Sequence, residues 1–165
     1  MKTIKMYIDF SCPYCLKGYE IVKKVAPDYK DISFECVPCE AHPRPEEWHH
    51  HSDLLARGFY IALDLGMDAS TYQDVMYKAA VTDAIDIDDI NEVCMVLESY
   101  VDISKFKEDL DKGDYLKELD KNNHACWMTY GFMAVPSFVY EDKTLGAIPL
   151  EGVSEDGLRK FIESL

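Results

Sequence analysis

Apolar residues follow two different rhythms along the chain, and the changes between them divide it into three parts. Residues 3–10 and 32–37 are short, largely apolar runs, which are typical of strands buried in a sheet. Between these runs, apolar residues recur at helical spacing from residue 13 to residue 26, and Pro27 ends the pattern. This order of strand, helix and strand predicts a βαβ unit with parallel strands and a right-handed crossover.

The middle of the chain, from about residue 45 to residue 131, keeps a helical spacing without any strand pattern. Ser70 is the predicted N-cap of one of these helices, because serine is preferred at that position. Strand patterns return at 136–141 and 145–150 around a turn, and Ser154 is predicted to cap a last amphipathic helix. The predicted class is therefore α/β, with the order βαβ, helical block and ββα. The helices predicted within the block cover 46–66, 70–80, 88–100, 104–113 and 114–131.

Charge and composition exclude two classes of partner. The 165 residues carry a net charge of −14, whereas nucleic-acid binding needs clustered Lys and Arg. No apolar run approaches the length of a membrane-spanning helix, so no membrane partner is expected. The six cysteines, together with an N-terminus that lacks a secretory signal pattern, predict a reducing compartment and, by default, the cytoplasm.

Cys12 and Cys15, in the segment YIDFSCPYC, open the first predicted helix and are separated by Pro13 and Tyr14. Pro13 fits the first helical turn, where its missing N–H leaves no bond unmade. A sulfur at this position faces free N–H groups and the positive end of the helix dipole, so the thiolate of Cys12 is stabilised. The pattern predicts a redox centre in which Cys12 attacks a substrate disulfide and Cys15, one turn later, resolves the mixed disulfide.

A second C-x-x-C segment, formed by Cys36 and Cys39, leaves other interpretations open. Together, Cys12, Cys15, Cys36 and Cys39 supply enough ligands for a zinc site. The second pair is also a candidate auxiliary redox pair. A fully extended segment would hold its Cα atoms about 10 Å apart, beyond the roughly 7 Å that a disulfide spans, so this role requires a turn. Two structural thiols are the third interpretation.

Val135 and Pro136, in AVPSFVY, are candidate substrate-binding residues. If their peptide bond is cis, the carbonyl and N–H of Val135 turn outward and can pair with an extended substrate chain. In the other interpretation, Pro136 only begins an edge strand.

Histidines cluster in the segment EAHPRPEEWHHH. His42 is expected near the edge of the redox centre. His49, His50 and His51 are consecutive, so on a helix they point in different directions and do not form one metal site. We interpret them as the solvated start of a helix, and no metal ligand is assigned.

Three segments carry a family resemblance: YIDFSCPYC, EAHPRPEE and YGFMAVPSFVY followed by LEG. They resemble the DsbA-like branch of the thioredoxin superfamily, including its cytoplasmic FrnE-type members. The resemblance implies a thioredoxin fold with an all-helical domain inserted between the second and third strands. Residues 1–44 and 132–165 would then form the thioredoxin-like domain, and 45–131 the helical insertion domain.

The same resemblance implies a thiol–disulfide oxidoreductase that works as a reductase, an isomerase or an oxidase on protein thiols and disulfides. It implies that Cys12 is the nucleophile and Cys15 the resolving thiol. No cofactor is expected beyond the Cys12–Cys15 disulfide, and glutathione is left open as a co-substrate. The residues that would contact substrate lie between and opposite the cysteines: Pro13, Tyr14, Val135 and Pro136.

Two positions depart from the family pattern. Many members carry a buried acid six residues before the nucleophile, where this chain has Met6. Asp9 either takes over proton transfer or only shapes the turn into the helix. Tyr14 stands where strongly oxidising members carry His, and because a neutral phenol offers no positive charge, we expect a less oxidising centre. The alternative function comes from a related family, the kappa-class glutathione transferases and chromene-carboxylate isomerases, which has Ser in place of the attacking Cys.

Overall fold

The computed structural model describes every residue from 1 to 165 and contains a four-stranded sheet and seven α-helices. The strands are β1 (Lys2–Ile8), β2 (Ile32–Pro38), β3 (Ser137–Tyr140) and β4 (Lys143–Leu145). The helices are α1 (Pro13–Val25), α2 (Asp53–Asp64), α3 (Ala69–Tyr77), α4 (Ile90–Leu97), α5 (Ile103–Asp111), α6 (Leu116–His124) and α7 (Glu155–Glu163). A 3₁₀ turn follows α1, and π-helical turns follow α3 and α6: Ala26–Asp28, Lys78–Thr82 and Ala125–Thr129.

The strand order in the sheet is β2-β1-β3-β4. β1 and β2 are parallel and in register from the pair Lys2 and Ile32 to the pair Ile8 and Pro38. β3 runs antiparallel to β1, and β4 antiparallel to β3. The predicted βαβ unit and the α/β class are therefore confirmed. Every strand lies outside 45–131, and α2 to α6 lie within it, so the helical block is inserted between the second and third strands of a thioredoxin fold.

The helical block and the sheet share one hydrophobic core. Phe10, just after β1, is 1% exposed, and its ring contacts aromatic rings of α2 and α3. The ring centroids lie 5.9, 5.2 and 5.3 Å away, in the order Phe59, Tyr72 and Tyr77. Tyr77 also packs against Tyr19 of α1 at 5.3 Å. Aromatic pairs at such distances add to the stabilisation from buried area, so the block is firmly packed against α1.

Polar side chains of α6 and the turn that follows it bind the end of β2. The amide of Asn122 donates to the carbonyl of Pro38 at 2.9 Å. The N–H of Glu40 donates to the side-chain oxygen of Asn123 at 2.7 Å, and the indole N–H of Trp127 donates to the carbonyl of Glu40 at 2.8 Å. These bonds satisfy backbone groups where the β ladder ends and fix the start of the following loop.

The predicted helix over 46–66 begins only at Asp53, so its first part was wrong. His51 uses its N–H to bind the carboxylate of Asp88 at 3.1 Å, and its ring lies 3.1 Å from the carbonyl of His42. The ring of His42 in turn stacks on Trp48 at a centroid distance of 3.7 Å. Long-range contacts of this kind override a local helical spacing. The run of histidines is therefore part of a loop rather than the start of a helix.

The hairpin between β3 and β4 also differs from its prediction. β4 is short, and the strand predicted at 145–150 does not form beyond Leu145. The turn contains Glu141, which has a positive φ of 52°. The prediction for Ser154 is confirmed, because its hydroxyl accepts a hydrogen bond from the N–H of Gly157 at 3.0 Å at the start of α7.

The other helices of the block lie where the spacing predicts them. α3 begins at Ala69 with Asp68 at its N-cap, so the prediction of Ser70 as the cap was wrong. Asp89 caps α4 by accepting a hydrogen bond from the N–H of Asn91 at 2.8 Å. None of the helices has the length and apolar character needed to cross a membrane.

Gly18 allows α1 to pack closely against Pro136. A Cβ at Gly18 would lie 2.6 Å from Cγ of Pro136 and 3.4 Å from Cε of Met6. We expect Gly18→Ala to lower the free energy of unfolding by about 1–3 kcal/mol, because a proline ring is fixed to its backbone and cannot rotate away. Urea unfolding of the reduced protein measures this change.

Gly146→Ala is the control. Gly146 is exposed, and the nearest atom to such a Cβ is Cδ1 of Phe132 at 3.4 Å, which is an ordinary van der Waals contact. We therefore expect this variant to change the free energy of unfolding by no more than about 0.5 kcal/mol. Unchanged stability of Gly18→Ala would contradict the close packing of α1 against Pro136.

Candidate active site

Cys12 occupies the N-cap of α1, directly after the turn that leads out of β1. Its backbone is extended, with φ −90° and ψ 120°, and Pro13 takes the first helical position. The carbonyl of Cys12 accepts hydrogen bonds from the N–H groups of Cys15 at 3.0 Å and Leu16 at 3.2 Å. Cys12 is half-buried and Cys15 is fully buried, and both thiols are free. The pair therefore presents one accessible sulfur with a second sulfur behind it.

The two thiols have opposite pKa shifts. The pKa of Cys12 is lowered, chiefly because the Cys15 thiol donates a hydrogen bond to its sulfur and also because the backbone N–H groups of Cys15 and Tyr14 face it. Partial burial and the negative charge of Asp9 oppose this shift. The pKa of Cys15 is raised well above its ordinary value, first by burial and then by its interaction with Cys12. Cys12 is therefore the sulfur of the pair that ionises more readily.

Asp9 organises the turn between β1 and α1. One carboxylate oxygen accepts from the N–H and the hydroxyl of Ser11 at 2.8 and 2.7 Å, and the other accepts from the N–H of Ala41 at 2.9 Å. Its own N–H donates to the Cys15 sulfur at 3.4 Å, and its carbonyl accepts from the N–H of Cys12 at 3.0 Å. Asp9 is 3% exposed, so its carboxylate holds the turn from the inside.

The loop containing Val135 and Pro136 lies opposite Cys12. Their peptide bond is cis, and the Cys12 sulfur lies 3.9 Å from the carbonyl oxygen of Val135. The N–H of Val135 donates to no acceptor within the chain. Pro136 is held against α1 by its contact with Gly18. A free backbone donor therefore lies in the loop beside the sulfur, where an extended chain could pair with it.

Tyr14 is the half-buried residue between the two cysteines and packs against Gly152. A Cβ at Gly152 would lie 3.4 Å from Cβ of Tyr14 and 3.5 Å from its ring. Gly152 has a φ of 80°, which favours glycine, and it pairs with Ile148 in a short antiparallel bridge. This bridge exposes Leu150 beside the cysteine pair. The segment that was wrongly predicted as a strand therefore forms one wall of the site.

Cys36 and Cys39 do not lie together. Cys36 pairs in register with Met6, which faces Gly18 of α1. Cys39 is an odd number of residues further along an extended segment, so its side chain points to the opposite face of the sheet. There the thiol of Cys39 interacts with that of Cys126, and both are 0% exposed. The geometry therefore favours two structural thiols over an auxiliary pair.

The zinc interpretation fails for the same reason. Cys36 lies on a different face from Cys39, so the four sulfurs do not converge on one point. The group of potential metal ligands that does converge consists of exposed side chains of other types, with ligand atoms within 4.8 Å of one another: His50, Asp86 and Asp88.

A groove of about 400 Å³ opens beside Cys12. Its walls come from the turn before α1, the first turn of α1, the loop between β2 and α2, and the segment before α7. His42 lies there, as expected. Trp48, His50 and Leu150 were not assigned to the site from the sequence, because neither a helical nor a strand pattern indicates where such loops converge. The lining residues are Asp9, Ser11, Cys12, Pro13, Tyr14, Ala41, His42, Trp48, His50, Ser52 and Leu150.

Solved structures share this fold at low sequence identity. A thioredoxin-like oxidoreductase from Silicibacter pomeroyi is 18% identical, with a TM-score of 0.73 over 98% of this chain and 84% of that chain. A 2-hydroxychromene-2-carboxylate isomerase is 17% identical, with a TM-score of 0.72 over 98% and 93%. DsbA from Chlamydia trachomatis is 15% identical, with a TM-score of 0.69 over 98% and 85%. These similarities concern the fold.

Sequence comparison decides the family. None of the curated proteins matches the chain. A family model described as a DSBA-like thioredoxin domain matches residues 3–156, which is nearly the whole chain. The protein therefore belongs to the family of DSBA-like thioredoxin domains.

Proposed function

We propose that this protein is a thiol–disulfide oxidoreductase that acts on protein substrates through Cys12 and Cys15. The observation that carries the proposal is the asymmetry of this pair at the start of α1. One sulfur is half-buried and has a lowered pKa, whereas the other is fully buried and has a raised pKa. Such a pair supplies a nucleophilic thiolate and a protected resolving thiol. Membership of the DSBA-like family supports the same class of reaction.

In the reducing direction, the Cys12 thiolate attacks one sulfur of a substrate disulfide. A mixed disulfide forms, and the other substrate sulfur leaves as a thiolate. Cys15 then loses its proton and attacks the Cys12 sulfur, which forms the Cys12–Cys15 disulfide and releases the second substrate thiolate. Two electrons pass from the pair to the substrate, and no further redox group is needed. The oxidising direction runs through the same mixed disulfide in reverse.

The substrate chain is proposed to bind between α1 and the loop opposite it. The unpaired N–H of Val135 would donate to the backbone of an extended segment, which aligns its sulfur with Cys12. Pro13 and Tyr14 would contact the same segment from the side of α1, and Pro136 keeps the loop in place through Gly18. This arrangement suits a polypeptide substrate, whose backbone can form such bonds.

Asp9 is proposed to position the pair rather than to carry its protons. Its carboxylate oxygens already accept three hydrogen bonds, from Ser11 and Ala41. Both oxygens are therefore occupied as acceptors within the turn and the loop after β2. The cytoplasm is the compartment we propose, and this proposal depends on the cysteine content alone.

Glutathione-dependent transfer or isomerisation is the second candidate function. The structural similarity to a 2-hydroxychromene-2-carboxylate isomerase favours it. In that reaction bound glutathione would supply the thiol, and its cysteinyl backbone could pair with Val135. Cys15 would then be dispensable, so conjugating or isomerising activity that survives Cys15→Ser would support this candidate over the first.

The roles of the two cysteines can be separated by substitution. We expect Cys12→Ser to reduce insulin disulfides no faster than the reductant alone, because the attacking sulfur is lost. We expect Cys15→Ser to accumulate a mixed disulfide with substrate, visible by non-reducing electrophoresis and mass spectrometry. Cys94→Ser is the control and should keep full activity, because Cys94 is a half-buried residue of α4 in the helical block. Full activity of Cys12→Ser would refute the proposal.

The lowered pKa of Cys12 can be measured from its alkylation by iodoacetamide across pH. Because the Cys15 thiol is the main cause of the shift, Cys15→Ala should move the alkylation midpoint of Cys12 to higher pH. Cys15→Ser keeps a hydroxyl donor and should move the midpoint less.

The stability of the reduced protein should follow the same ionisation. A folded-state pKa below the unfolded one adds stability above the unfolded pKa, and this gain is lost as pH falls through the folded pKa. As the pH falls from the unfolded-state pKa of Cys12 through its folded-state pKa, the reduced wild type should therefore lose stability relative to Cys12→Ser. Identical pH profiles for the two proteins would contradict a stabilised thiolate.

A further inference from the structure

The groove beside Cys12 is lined by no lysine or arginine side chain. The basic residue of the loop between β2 and α2 is Arg44, and its guanidinium lies 3.4 Å from Asp88 and 3.6 Å from Asp53. Its charge is therefore balanced by two carboxylates, and the groove offers no cation to an anionic substrate.

Several carboxylates contact residues that line this groove or follow them directly in sequence, and we refer to them as its acidic rim. Glu46 binds the ring of His42 at 2.8 Å, and Asp86 and Asp88 lie within 4.8 Å of the ring nitrogen of His50. Further exposed carboxylates flank lining residues in sequence: Glu47 before Trp48 and Glu151 after Leu150. The net charge of −14 extends the same sign over the rest of the surface. His42 and Arg44 offset part of this charge through Glu46 and Asp88. The excess that remains is negative, and it steers ligands of the opposite sign toward the groove.

Large apolar side chains are exposed between these carboxylates. Trp48 is 49% exposed and Leu150 is 85% exposed, and both line the groove. Met133, close in sequence to Val135, is 82% exposed. Isolated exposed apolar residues are common, but Trp48 and Leu150 line the same groove as the nucleophilic sulfur of Cys12. The occupant should therefore carry an apolar residue near its cysteine.

We propose that the substrate of this groove is an extended, cationic polypeptide segment in which basic residues flank a cysteine with an apolar neighbour. This inference rests on the proposed function and names its substrate class. Its backbone would pair with Val135, its apolar side chain would lie against Trp48 and Leu150, and its basic residues would face the acidic rim. Glutathione carries two carboxylates against one ammonium group, so its charge has the wrong sign for this site.

The chemical step is the exchange already described. The Cys12 thiolate forms a bond to one sulfur of the substrate disulfide, and the other sulfur leaves as a thiolate. Cys15 then displaces the bound sulfur, so the substrate gains two electrons and the Cys12–Cys15 disulfide forms. Charge complementarity accelerates the encounter that precedes this step, so its effect should depend on ionic strength.

Two synthetic peptides with one internal disulfide test the proposal. They are identical, with an apolar residue beside one cysteine, except that the flanking residues are lysines in one and glutamates in the other. The reduced protein is mixed with each peptide, and the second-order rate of peptide reduction is measured at about 0.02 M and about 0.5 M salt. Hydroxyethyl disulfide, which is small and neutral, is the reference substrate.

We expect the lysine peptide to react at least about tenfold faster at low salt and this difference to shrink at high salt. The double variant Glu47→Lys, Glu151→Lys should also make the difference in rate between the two peptides smaller at low salt. The control, Glu98→Lys with Asp142→Lys, makes the same change in net charge at exposed positions just after α4 and in the β3–β4 turn, and it should preserve the difference between the two peptides.

Equal rates for the two peptides, a faster glutamate peptide, or an equal effect of both double variants would overturn the assignment of a cationic substrate. These results leave the proposed function standing as long as the wild type reduces hydroxyethyl disulfide. Failure with hydroxyethyl disulfide and with both peptides would instead overturn the proposed function, and the substrate class with it.

Discussion

The interaction between the thiols of Cys12 and Cys15 at the first turn of α1 is the one on which the site depends. It lowers the pKa of Cys12 and, together with burial, raises that of Cys15. One interaction therefore makes the accessible sulfur reactive and keeps the other protonated until a mixed disulfide forms. Burial alone would raise the pKa of both thiols. The lowered pKa belongs to Cys12 and not to Cys15, because only Cys12 faces the free N–H groups that begin the helix.

The surrounding structure holds that first turn from three sides. Asp9 joins the end of β1 to the loop after β2 through Ala41, and Pro136 presses the opposite loop against Gly18. From the third side, the insertion packs its aromatic rings on Phe10. The insertion is thus part of the scaffold of the redox pair, since the same core continues through both. A helical block packed in this way can shape the groove without moving the sulfur.

The sequence was sufficient for whatever depends on local spacing. The βαβ unit, the position of Cys12 at the start of a helix and the insertion between strands follow from patterns within short windows. The loop at 46–52 was wrongly predicted as helix, because its conformation depends on contacts of His42 with Trp48 and of His51 with Asp88. The spacing of apolar residues along the chain contains no information about such pairs. The convergence of the loops on the groove and the meeting of Cys39 with Cys126 were unpredictable for the same reason.

Acidity and a thiolate are in conflict, since a nearby carboxylate raises the pKa of a thiol. The structure limits this conflict by distance and by pairing. Asp9 is a carboxylate whose charge opposes ionisation of Cys12, but its effect is outweighed by the hydrogen bonds to the sulfur. At the rim, Glu46 is paired with His42, and Asp88 is paired with Arg44. The site can therefore keep a reactive anion at its centre while its edge attracts positive charge, because the two requirements fall on different residues.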